Sequence, residues 1–222
     1  SDTTNMASDD PDNNIRYIGA TPNNYVYFNC SDYTNQTSDT CEKWRIIGVF
    51  NNIEKEDGTK ENLIKIIRNE NINNLAFDYT KDKTSSNYWP NSTLKRLLNE
   101  GAYYYASTGI YYFGTNTSEP VNVDYSKSGL KNDKTRNAIT NIKWNIGGSS
   151  TSEIAYKDFY LLERGTDSND GYETKWQGKV GLLYPSDYGY ATSGGIQKSR
   201  TDCIESKASV WDNSNYEECR NN

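Results

Sequence analysis

Two apolar runs, Lys43-Trp-Arg-Ile-Ile-Gly-Val-Phe50 and Leu63-Ile-Lys-Ile-Ile-Arg68, are separated by a polar stretch that contains Asp57-Gly58. Both runs are rich in β-branched and aromatic residues, which suit a pleated surface. Asp-Gly is a favoured tight-turn pair. The runs are therefore expected to pair antiparallel around a solvated turn. Trp44, Ile46 and Phe50 would share one face, with Ile47 and Val49 on the other, so both faces of the first strand need cover. An antiparallel sheet holding this hairpin is the strongest constraint on the fold.

A second strand signal lies in Trp176-Gln-Gly-Lys-Val-Gly-Leu-Leu-Tyr-Pro-Ser-Asp-Tyr-Gly-Tyr-Ala191. Val180, Leu182 and Tyr184 alternate with Lys179, Gly181 and Leu183, which predicts a core strand with Leu182 buried. Pro185 cannot donate to a ladder and should end it. Ser186, Asp187, Tyr188 and Tyr190 then form a corner that is either a ligand site or a structural plug. Ile15–Gly19 and Tyr25–Phe28 read as a hairpin around Ala20-Thr-Pro-Asn-Asn24. Leu75, Phe77 and Tyr79 alternate like an edge strand, and Ala102–Val123 reads as irregular and Tyr-rich.

Three short helices are expected. The first is capped by Asn91 or Ser92, carries Leu94, Leu97 and Leu98 on one stripe, and stops at Gly101. The second runs over Lys131–Trp144 with Ala138, Ile139 and Ile142 inward. The third runs over Ile154–Arg164 after the capping-box pattern Ser150-Thr-Ser-Glu153, with Ala155, Phe159 and Leu162 inward. The fold class is therefore α+β: mainly antiparallel sheet, about three short helices and long polar loops. Residues 1–14 are polar without periodicity and read as a flexible tail or linker. Residues 15–222 read as a single domain.

The chain has no histidine. This excludes a Ser-His-Asp triad, a Cys-His pair and a His-ligated zinc. With 24 basic and 30 acidic residues the net charge is −6, and no dense basic run marks a nucleic-acid partner. The four cysteines fall as two local couples, Cys30 with Cys41 and Cys203 with Cys219. Neither has C-x-x-C spacing. Local disulfides in polar loops are the natural pairing and point to an oxidising compartment outside the cytoplasm. No signal peptide and no membrane-spanning apolar stretch is present, so the chain reads as an extracellular or cell-surface segment.

Three sets of residues invite a functional reading. Asp167, Asn169 and Asp170 surround Gly171 like a loose calcium loop, but the spacing misses the EF-hand pattern. A solvated turn is the better reading, and no cofactor is expected. Glu163, Asp187 and Glu70 lie near core elements and could in principle pair for glycoside hydrolysis. With 30 acidic residues such sets arise by chance, and pairing with an arginine such as Arg164 is the simpler role. Tyr103, Tyr104, Tyr105, Tyr111, Tyr112, Tyr188 and Tyr190, together with Asp187, could form a sugar or peptide platform, since aromatic rings with polar tips suit such binding. Core packing is the competing role, and the favoured one for Trp44 and Trp144.

Several blocks together resemble an uncharacterised extracellular domain of low-GC Gram-positive and gut bacteria, often attached to a prepilin-like N-terminal helix. The blocks are Arg16 to Val26, Trp44 to Phe50, Lys65 to Glu70, Trp144 to Gly148, Glu163 to Gly165 and the Tyr184-Pro-Ser-Asp187 stretch. In that family a further aromatic segment and an Arg-Pro-Val strand follow the region matched here. The resemblance implies an α+β fold similar to C-type lectin-like or formylglycine-enzyme-like domains. It brings no established activity. A non-enzymatic surface or pilin-like role is the expectation, in adhesion or in filament assembly. The partners would be other surface or pilus subunits, further copies of the chain, or a host or environmental glycan or protein.

Overall fold

The computed structural model describes residues 4–79, 86–112, 119–166 and 171–222. The fold is α+β, with antiparallel sheets of mostly short strands and short helices. Its main sheet is built on β4 (Glu42–Glu54), which turns back into the antiparallel β5 (Lys60–Arg68). Gly58 takes φ 78° in the turn, and Asp57 Oδ1 accepts a hydrogen bond from Thr59 N at 2.9 Å. The hairpin is the one predicted.

The opposite edge of β4 carries two short strands end to end. β2 (Ile15–Tyr17) pairs with Gly48 and Val49, and β3 (Tyr25–Phe28) pairs with Glu42 to Arg45. They do not form the expected hairpin with each other, because the long β4 offers each a ladder of its own. Gly48 permits this approach: a Cβ there would lie 2.2 Å from the Ile15 carbonyl oxygen.

The expected tail is also corrected from Thr4 onward. β1 (Met6–Ala7) pairs with Arg16 and Tyr17, and Asp10 and Asn14 are buried. What holds this segment is hydrogen bonding, which leaves no apolar period to read. Asp10 Oδ1 accepts from the backbone N–H of Asp12 at 3.2 Å and of Asn14 at 2.9 Å.

Helix α1 (Thr93–Asn99) starts at Ser92, whose Oγ accepts from Lys95 N at 3.1 Å, and it buries Leu97 and Leu98 as its stripe predicts. Leu75 and Phe77 form no strand; they pack against the same core. In place of an irregular stretch, β6 (Thr108–Tyr111) pairs with β7 (Val121–Asp124).

The helix expected over Lys131–Trp144 ends early. Only α2 (Asp133–Ala138) is helical, and β8 (Ile142–Asn145) pairs with β9 (Lys175–Gly178), placing Trp144 opposite Trp176. The ladder with β9 outweighs the local helical pattern here. Helix α3 (Tyr156–Glu163) is capped by Ala155 without the Ser150–Glu153 box, and it leaves Leu162 exposed.

The core strand expected through Val180 to Tyr184 is not formed. β9 ends at Gly178, and Leu182 is 44% exposed. The Asn99 side chain takes the place of a ladder, accepting from Val180 N and donating to Val180 O, both at 3.0 Å. Pro185 opens α4 (Pro185–Gly189), and two further short helices follow, α5 (Arg200–Glu205) and α6 (Glu217–Asn221). The described residues thus hold six α-helices where about three are expected.

Three cores result. The first gathers Trp89, Leu97, Leu98, Tyr103, Tyr111 and Leu130; the second gathers Tyr156, Phe159, Trp211 and the Cys203–Cys219 bridge; the third gathers Tyr160, Tyr190 and Ile204. The Cys30–Cys41 bridge also forms as expected, and Asn29 beside it donates to Gly129 O at 2.8 Å. Near the chain ends, Ile18 N donates to Asn5 O at 3.0 Å, Gly19 N to Ala191 O at 2.8 Å, and Ser193 N to Asn222 O at 2.5 Å. Residues 5 and 222 therefore lie at the same pole.

Candidate functional site

The densest chemistry lies where β2, β5, α3 and α4 meet. Arg16, on β2, points inward from the sheet and is 1% exposed. Its Nε donates to Asp10 Oδ2 and its Nη1 to Asp187 Oδ1, each at 2.7 Å. Nη2 has no hydrogen-bond partner among the described residues. The rings of Phe50, Tyr190 and Tyr160 flank the guanidinium at 4.6, 5.4 and 5.9 Å, an arrangement that stabilises a buried cation. Lys65, from the centre of β5, donates to the other Asp187 oxygen, Oδ2. Tyr184, Phe50 and Trp144 surround its ammonium at 4.2, 5.2 and 5.6 Å.

Asp187 reaches this position because α4 begins at Pro185 and places Asp187 at its third residue. There the carboxylate caps the helix, with Tyr184 N donating to Oδ2 at 3.1 Å. Gly189 lets α4 sit on α3, since a Cβ there would fall 2.2 Å from the Tyr156 ring. On α3, Glu163 Oε1 accepts from Ser186 N at 2.8 Å, and Oε2 accepts from Ser186 Oγ. Arg164 Nη1 lies 3.1 Å from Glu163 Oε2, the arginine partner expected for that acid.

The two carboxyls are driven apart in pKa. Burial pushes Asp187 up, but Lys65 and Arg16 outweigh it and hold the group below its ordinary 3.8. Burial raises Glu163 above 4.5 despite the Ser186 bonds. Burial likewise pulls the Lys65 ammonium below its ordinary 10.5, against the attraction of Asp187. A split acid pair of this kind is what acid–base chemistry uses. Neither acid lines an open cleft, however: Glu163 is 1% and Asp187 2% exposed. Glu70, the third acid considered, is exposed and accepts from Asn69 Nδ2.

The tyrosines do not converge. Tyr103 and Tyr111 are buried in the first core and Tyr190 in the third, so their rings have no free face for a ligand. Burial pushes the Tyr103 phenol up to about 12. Tyr104 packs edge-on against the exposed Tyr105, and Tyr112 is half-buried at the end of a described segment. Tyr188 is exposed at one edge while leaning on Tyr156 and Trp211. Asp187 is a core anchor. A single aromatic platform is therefore not assembled from these residues. Asp167, Asn169 and Asp170 lie outside the described residues. Among the described residues no group of three or more acids or cysteines is placed to hold a metal. A shallow hollow of about 440 Å³ over β6 and β7, lined by Thr108, Ile110, Asn122 and Asp124, does not reach the buried acids.

The other face of the main sheet contrasts with this charged interior. Directly paired residues share a face, so Val26, Trp44 and Arg68 form one row, Ile46 and Ile66 a second, and Ile15, Val49 and Ile64 a third. A bulge at Ile47 brings Val49 to the same face as Ile46. None of these side chains is fully buried; Ile15 is 44% and Ile64 63% exposed. The expectation that both faces of β4 are covered fails at this end.

No family model, curated protein or solved structure matches the chain.

Proposed function

We propose that the chain is a non-enzymatic extracellular module of a bacterial surface or pilin-like protein, acting in assembly by docking other subunits on its main sheet. The observation that carries this reading is the half-covered apolar face with Ile15, Val49 and Ile64 at its open end. Contiguous exposed apolar surface on a globular protein is a mark of an interaction site. Two disulfides fit an oxidising compartment outside the cytoplasm. No helix of the described residues is long and apolar enough to cross a membrane.

Sedimentation velocity over a concentration series tests the reading. The wild-type chain should associate, and Ile64→Lys should remain monomeric at the same concentrations. Ile64 is exposed, so the substitution leaves the core untouched. A wild-type chain that stays monomeric throughout overturns assembly between copies. Binding to a glycan array that depends on the exposed Tyr105 or Tyr188 would instead assign an adhesive role.

A further inference from the structure

We infer that Lys65 and Asp187 become joined by an amide bond between Lys65 Nζ and Asp187 Cγ, a covalent cross-link between β5 and α4. The two groups already touch, Nζ against Oδ2, although 122 residues separate them in the chain. The Asp187 side chain is fully buried and that of Lys65 only 14% exposed. Three aromatic rings close off the ammonium. Holding an amine and a carboxyl together in one orientation replaces a bimolecular encounter and can supply most of the entropy such a reaction needs.

The surroundings suit each part of the step. Burial favours the neutral, nucleophilic form of Lys65. Arg16 Nη1 sits on the other carboxyl oxygen, Oδ1, at 2.7 Å. Negative charge develops on that oxygen when Nζ adds to Cγ, so the guanidinium is a fixed counter-charge to the tetrahedral adduct. Tyr184 N holds Oδ2, the oxygen that leaves, at 3.1 Å.

The atoms balance without a co-reactant. The Nζ–Cγ bond forms and the Cγ–Oδ2 bond breaks. One ammonium proton first passes from Nζ to Oδ2 along their hydrogen bond, giving a neutral amine and a neutral carboxyl; as the Cγ–Oδ2 bond breaks, Oδ2 takes the bonding pair and a second Nζ proton and leaves as water. The third proton stays on the amide nitrogen. An ion pair that is costly to keep desolvated is replaced by a neutral amide.

Intact mass spectrometry of the purified, folded full chain after disulfide reduction reads the result directly. The expected mass is one water below that of the sequence. Trypsin should fail to cut after Lys65 and should release residues 61–68 joined to residues 180–198. Lys65→Arg, which keeps the positive charge, should restore the full mass. A wild-type chain of full mass that is cleaved after Lys65 overturns the cross-link. So does a water loss that persists in Lys65→Arg, because it would come from dehydration elsewhere. Peptide mapping of the wild type decides the matter even if the variant does not fold.

Discussion

Glu163 holds its proton above the ordinary 4.5 because burial outweighs the hydrogen bonds from Ser186. Between that value and the raised one, the folded chain binds a proton that the unfolded chain releases. The resulting contribution to stability is fully present below 4.5 and is lost as pH rises through the folded pKa. Urea unfolding from mildly acidic to neutral pH should show the wild type losing stability relative to Glu163→Gln; parallel curves would show that burial does not set this group. At this scale only part of the site is legible in sequence. Glu163 and Asp187 stand out as acids beside core elements. Arg16 and Lys65 show only as charges inside strands, a sign of inward partners without saying which. Those partners lie 171 and 122 residues away.

Elements built on local pattern and local turn chemistry are the readable ones. β4 and β5 carry alternation, β-branched residues and an Asp-Gly turn that all agree. α1 has a serine cap and a leucine stripe. Elements fail where a distant partner decides. Ile142 to Asn145 has helical spacing behind it, yet Lys175 to Gly178 draws it into a ladder. Residues 179–184 alternate like a strand, but Asn99 on α1 takes the backbone groups at Val180 that a neighbouring strand would use. The difference is measurable. Leu182→Ala should change stability by no more than about 0.5 kcal/mol, as for an exposed position. Leu130→Ala, in the first core, should cost about 2–5 kcal/mol. Chemical denaturation of the two variants checks both, and a large loss at Leu182 would restore the core strand.

Across the whole molecule, each disulfide closes a local loop and neither joins the main sheet to the helical C-terminal part. The Cys203–Cys219 bridge lies inside the second core with Tyr156 and Trp211. Replacing both cysteines by serine should lower stability by roughly 3 kcal/mol through loop-closure entropy. Hydrogen exchange should rise first in α5 and α6, with the β4–β5 hairpin unaffected; uniform loss of protection would show that the bridge supports the whole fold. The Arg16, Lys65 and Asp187 junction is a buried tie between sheet and helices. The joining of the chain near residues 5, 18–19, 191–193 and 222 has a mechanical meaning. Tension applied through residues 5 and 222 enters and leaves at one pole. On the side of residue 222 the load then meets the Cys203–Cys219 bridge and passes into the second core, whereas on the side of residue 5 only the β1 ladder resists, so β1 would peel first.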